Sequence, residues 1–148
     1  MFKKDSDIEY LLGSKQPSTL PTKPFDSLVC EFLEIFSKKL NLIKNIKNYS
    51  DLKTLSFWCR KGNIYNLKKK YFSEETRIGL GMIFHITPSN IPTNFAYSLI
   101  FGLLTGNSNI VKVPSKKFNE IDIICSVINS ILNKKKFKKI KNIILIVR

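Results

Sequence analysis

Residues 80–87 read Leu80-Gly-Met-Ile-Phe-His-Ile-Thr87, a short apolar run without alternation. Such a run predicts a strand buried on both faces, as in a parallel sheet. Pro88-Ser-Asn-Ile-Pro92 breaks it. From about Thr93 to Thr105 the spacing turns helical, with Ala96, Leu99, Ile100, Leu103 and Leu104 recurring at intervals of three and four. Gly106 suits the position just past a helix, because glycine reaches the left-handed conformation without steric cost. Asn109 to Val113 predicts a second strand, and Pro114 to Phe118 a loop. Asn119 is placed to cap a helix that carries Ile124, Val127, Ile128 and Ile131. The basic run Lys134 to Lys141 reads as a solvated helix end plus loop. Asn142-Ile-Ile-Leu-Ile-Val147 reads as a third strand.

Upstream of this core the pattern is helical. Phe25, Leu28, Val29, Phe32, Ile35, Phe36 and Leu40 share one face, and Pro24 fits a first helical turn. Ser50 is a good N-cap for a second helix with Leu52, Leu55 and Cys59 on one side. Gly62 should interrupt that helix, with Ile64 and Leu67 continuing it. The aromatics Phe25, Phe32, Phe36, Phe57 and Trp58 are expected in the core. Residues 1–23 read as a polar arm, with Ile8 to Leu12 a candidate short strand.

The order is two helices followed by β-α-β-α-β. Strands alternating with helices predict an α/β fold with a partial Rossmann-like parallel sheet in a three-layer core. The predicted strands are 80–87, 109–113 and 142–147, with residues 24–70 packed outside. The expected organisation is an arm over 1–23, a helical segment over 24–76, and the first half of a nucleotide-binding domain over 77–148. A parallel sheet reaching Arg148 without a covering helix looks truncated, so the expectation is the N-terminal part of a larger protein.

Composition narrows the classes. At 148 residues with 43% hydrophobic and 24% charged residues, the chain is an ordinary globular length and mixture. Lys and Arg total 25 against 11 acidic residues, a formal charge of +14, which suits an anionic partner without choosing one. Three widely spaced cysteines and a single histidine, His85, argue against a zinc site or a disulfide framework; no metal is expected. The longest apolar stretch, Phe95 to Leu104, is about half the ~20 residues that span a bilayer. Residues 1–7 carry no apolar h-region, so no signal peptide and a cytoplasmic location are expected.

In open α/β sheets, ligands bind beyond the carboxyl ends of the strands. Asn90 lies just past the first strand and Lys112 to Ser115 at the end of the second, so topology alone puts both segments at a ligand. The words Phe84-His-Ile-Thr-Pro-Ser-Asn-Ile-Pro92, Asn94-Phe-Ala-Tyr-Ser98 and Phe101-Gly-Leu-Leu-Thr-Gly-Asn-Ser-Asn-Ile-Val-Lys-Val-Pro-Ser115 extend this pattern. So do Pro24-Phe-Asp, Phe36-Ser-Lys-Lys-Leu40 and Phe57-Trp-Cys-Arg-Lys61. Together they resemble the cofactor-binding half of the aldehyde dehydrogenase superfamily and, more closely, the LuxC-type acyl-CoA reductases. The resemblance covers roughly residues 24–148.

That resemblance implies reduction of a fatty acyl thioester, on coenzyme A or on a protein, to an aldehyde by NADPH through a cysteine thioester. It implies that Asn90 is catalytic, its side-chain amide donating to the oxyanion without titrating. It also implies that Lys112 contacts the adenosine ribose. Thr87, Pro88 and Ser89 would line NADP(H) largely through backbone, and Pro114, Ser115 and Lys116 would complete the nucleotide site. Where many NAD-preferring relatives carry a ribose-binding glutamate, this chain has Ser115 followed by Lys116 and Lys117. With no carboxylate there to repel a 2′-phosphate and two cations to attract it, NADPH is favoured over NADH. Cys30, Cys59 and Cys125 read as small buried hydrophobes, so the acylating cysteine should come from the remainder of the reductase chain. The isolated chain should then be inactive. His85 reads as a satisfied core or near-site histidine. A homo-oligomer is compatible with the full-length enzyme. The competing readings are a small basic nucleic-acid-binding protein, drawing on Tyr71, Phe72 and Phe137 beside lysine runs, and a non-catalytic remnant of the reductase family. The first of these lacks any recognisable nucleic-acid motif, so a nucleic-acid partner is not favoured.

Overall fold

The computed structural model describes residues 8–71 and 76–148; positions 1–7 of the arm and Phe72 lie outside them. The described elements are β1 (Tyr10–Gly13), α1 (Ser27–Asn41), α2 (Ser50–Trp58), α3 (Lys61–Tyr71), β2 (Met82–Ile86), α4 (Asn94–Leu104), β3 (Ser108–Lys112), α5 (Asn119–Leu132), α6 (Lys138–Lys141) and β4 (Ile144–Val147). They form an α/β fold on a mixed sheet of order β1-β4-β3-β2. β2, β3 and β4 are parallel, as the β-α-β-α-β pattern requires, and β1 adds to β4 antiparallel. The candidate strand at Ile8 to Leu12 is therefore present, shifted to Tyr10–Gly13.

The three-layer expectation is overturned, and the topology says why. From β2 through β3 to β4 the chain steps across the sheet in one direction. Crossovers of one hand then put α4 and α5 on the same face. On that face Leu12, Val111, Ile144 and Ile146 are buried against α1, α4 and α5. Among the described residues the opposite face stays open at the edge: Met82, Phe84, Ile86 and Tyr10 are 39%, 56%, 74% and 49% exposed. The arrangement is two layers, sheet and helices, with α2 and α3 stacked on the outside of the helical layer. Trp58 holds α2 there by packing edge-on against Tyr97 and Phe101 of α4, at 5.9 and 5.1 Å between ring centres. β2 is consequently an edge strand with one bare face, not a strand buried on both; its apolar content does not reveal its neighbours.

Local departures have local causes. α1 begins after Asp26, not at Pro24, because the Asp26 carboxylate accepts from the amides of Leu28 (2.8 Å) and Val29 (3.4 Å). Gly62 sits inside α3 and interrupts nothing. The break falls at Cys59 and Arg60, where Asn63 Nδ2 donates to Trp58 O at 2.6 Å and closes the corner. Phe118, extended, is the N-cap of α5; Asn119 is its first helical residue, and Glu120 and Asp122 set negative charge against the helix dipole. Phe57 is exposed, with the Arg60 guanidinium 3.5 Å above its ring, so it leaves the predicted core. Lys134 to Lys141 is more ordered than the expected helix end plus loop. A 3-10 turn and α6 bury Phe137 and Ile140 and turn the lysines between them outward.

The arm runs beneath the amino ends of the strands. Ser14 N donates to Ile144 O, Ser18 N to Asn142 O and Thr22 N to Gly106 O, each at 2.8 Å, and Gly79 N donates back to Thr22 O at 3.1 Å. Gly106 is required here. Its φ is +84°, and a Cβ would collide with Thr22 O.

Candidate functional site

The site grows from the pairing of Ile86 with Lys112, the last residues of β2 and β3. Thr87 then donates its hydroxyl to the Lys112 carbonyl at 3.0 Å, tying the turn after β2 to the turn after β3. The two segments singled out in the sequence therefore stand side by side at the carboxyl edge. Pro88, Ser89, Asn90, Lys112, Ser115 and Lys116 are exposed, and Thr87 is half-buried. Pro114 is buried. Val113 N donates to Val147 O at 2.9 Å and fixes the base of that turn to β4. Lys116 Nζ lies 5.0 Å from the Phe118 ring centre.

Among the described residues the Asn90 amide has no side-chain hydrogen bond and Lys112 no ion pair. Exposed donors of this kind, one neutral and one cationic, can serve an oxyanion and a ribose or phosphate respectively.

Two further ties hold β2 to β3, and sequence reasoning missed both. Asn107, 4% exposed, accepts from Leu80 N (2.6 Å) and Gly81 N (3.2 Å) and donates to Thr105 Oγ1 (2.9 Å). Its amide takes the place of a strand partner where the chain enters β2. Asn109, fully buried, donates from Nδ2 to Asn107 O at 2.7 Å. Its Oδ1 therefore accepts from His85 Nε2 at 2.9 Å, which assigns the imidazole proton to Nε2 by the network. His85 accordingly points into the helical layer, away from the strand-end turns. Gly102 of α4 makes room for this pair, since a Cβ there would collide with Asn109 Oδ1. The available signal was two asparagines flanking a strand start in an otherwise apolar context.

Burial raises all three cysteine thiols above their ordinary value. Burial pushes the Cys59 thiol up to about 12, and also the Cys125 thiol to about 12, with Asp122 adding to and Arg148 opposing the latter. Cys30 is raised by burial, partly offset by Lys68. Raised thiols stay protonated near neutrality and attack poorly. Among the described residues no group of three or more His, Cys, Asp or Glu is gathered that could hold a metal ion. None of the described helices is long and apolar enough to cross a membrane.

The model of a protein family described as acyl-CoA reductase (LuxC) matches residues 32–147. Comparison with curated proteins and with solved structures returned no match.

Proposed function

Because this chain belongs to the LuxC acyl-CoA reductase family, we propose that it is the N-terminal, cofactor-binding portion of an NADPH-dependent reductase. The enzyme would convert a long-chain acyl thioester to a fatty aldehyde in the cytoplasm. The observation that carries this reading is the Thr87–Lys112 hydrogen bond, which sets the Asn90 turn beside the Lys112 turn at one exposed strand end. NADPH, when bound, supplies the hydride. Lys112 holds the adenosine ribose through its ammonium. Ser115, Lys116 and Lys117 receive the 2′-phosphate, since three consecutive residues without a carboxylate line that turn. The turn of Thr87, Pro88 and Ser89 offers backbone to the cofactor, and the Asn90 amide donates to the thioester oxygen as it takes up charge.

Acylation needs a thiolate that Cys30, Cys59 and Cys125 do not provide, so this portion is inactive alone and works with the remainder of a reductase chain. The bare apolar face of Met82, Phe84 and Ile86 is a surface that such a chain would cover. The test is a fluorescence titration of the chain with NADPH and NADH. Saturable binding that prefers NADPH and weakens in Lys112→Ala supports the assignment. Absence of any nucleotide binding, or equal affinity in Lys112→Ala, rules out this site as the nucleotide site.

A further inference from the structure

We propose that the end of the sheet opposite the strand-end turns is a docking face for an anionic lipid bilayer. Two separate segments build this face. The first is the turn between α5 and β4, where the buried Phe137 and Ile140 anchor a frame from which Lys134, Lys135, Lys138 and Lys139 stand exposed. Lys136 in the same turn is engaged by Glu31. The other four have no ion pair among the described residues. The second segment is the arm, fixed beneath the strand starts by Ser18 N to Asn142 O and Thr22 N to Gly106 O. It carries exposed Lys23 and, between the two anchor points, Leu20 with 74% of its surface in water.

The mixture chooses the partner. Clusters of four to eight lysines attract an anionic leaflet, each adding roughly fivefold to the affinity near the surface. A single-stranded nucleic acid would want exposed aromatics for stacking, yet the aromatic of this turn, Phe137, is only 1% exposed. Reading a duplex groove needs a helix or ribbon that can enter it, and α6 has four residues. A protruding leucine among lysines suits the interface of a bilayer, where the aliphatic group enters the acyl boundary and the ammonium groups stay at the phosphates. Docking by this end leaves Asn90 and Lys112 facing the solvent. The inference does not depend on the reductase reading.

The experiment is co-sedimentation of the chain with phosphatidylcholine vesicles, with and without about one-third phosphatidylserine. The expected result is binding that needs phosphatidylserine and falls with added salt. Replacing Lys135, Lys138 and Lys139 together by Gln should lower it on the order of 100-fold. Leu20→Ser should lower it about tenfold. Lys44, Lys47 and Lys53, exposed elsewhere on the surface, provide the charge control: their triple Gln variant should bind nearly as wild type. All these positions are exposed, and circular dichroism checks the fold of each variant. Equal binding to neutral vesicles overturns the proposal. So does an equal loss in the control variant, which would reduce the effect to net charge. A DNA duplex bound through the same three lysines, with vesicles ignored, overturns it in favour of a nucleic-acid face.

Discussion

His85 Nε2 donates to Asn109 Oδ1 across 2.9 Å, and Gly102 of the covering helix leaves the space in which the two meet. This pair is the middle of three side-chain ties between β2 and β3, with Asn107 at the amino end and Thr87 at the carboxyl end. An edge strand packed on one face gains little from burial on the other, so these ties matter for its register. A slip by one residue would break all three and turn His85 toward water.

Gly102→Ala should therefore destabilise the fold by about 1–3 kcal/mol, because the added methyl meets a buried amide held by two hydrogen bonds rather than a compliant side chain. Asn109→Ala removes the obstacle but leaves His85 and Asn107 O unpaired. The double variant should be less destabilised than the two single losses added together. Urea denaturation of the four proteins in a cycle checks the sign of that coupling.

Asn107→Ala strips the acceptor from the Leu80 and Gly81 amides, at a cost of about 1–3 kcal/mol. The loss should be local before it is global. Hydrogen exchange should quicken at residues 80–84 while the amides of β4 keep their protection. Uniform acceleration throughout the sheet would mean that Asn107 supports the whole core instead of the entry to β2.

The order of elements was legible because apolar periodicity and the punctuation at Pro88, Pro92 and Gly106 are local signals. Layering was not. Whether β2 is central or marginal depends on what lies beside it, and Met82, Phe84 and Ile86 look the same in either place. Caps were half legible: Asp26 outcompeted the Pro24 signal through two amide hydrogen bonds, while Phe118 caps α5 by backbone geometry alone. The candidate site came from topology plus the quoted motif, and Thr87 to Lys112 shows the two turns in contact. The polar ties of Asn107 and Asn109 escaped notice because a lone asparagine in a sequence does not say which backbone it faces.

The thiols predict an alkaline limit to stability. Cys59 and Cys125 have an ordinary value of 9.0 when unfolded and are pushed up to about 12 in the fold. Below 9 both states are protonated and the contribution is fully present. As pH rises from 9 to 12 the unfolded chain loses protons that the folded chain keeps, so stability falls through that window. Urea midpoints measured between pH 8 and 11 should decline less steeply in the Cys59→Ala, Cys125→Ala double variant. At pH 8 a thiol reagent should modify all three cysteines more slowly than in the denatured chain, with Cys30, the least buried of them, first.

The roles proposed for the strand-end residues are separable by kinetics. In turnover by the complete reductase, Asn90→Ala should lower kcat on the order of 10²–10³-fold and leave NADPH affinity nearly unchanged, since an oxyanion donor acts only as charge develops. Lys112→Ala should do the reverse, raising the KM for NADPH through loss of a ground-state contact. Lys116→Glu should shift preference toward NADH by placing a negative charge near the 2′-phosphate. Thr87 lies between these cases. Thr87→Val keeps the shape but removes the hydroxyl from Lys112 O, so it should weaken NADPH binding as Lys112→Ala does, and Thr87→Ser should restore it. Steady-state kinetics with each cofactor varied distinguishes the outcomes. An Asn90→Ala enzyme altered only in its KM for NADPH would show that the amide binds nucleotide rather than the thioester oxygen. A Thr87→Ser enzyme as weak as Thr87→Val would show that the hydroxyl tie does not set the position of the lysine.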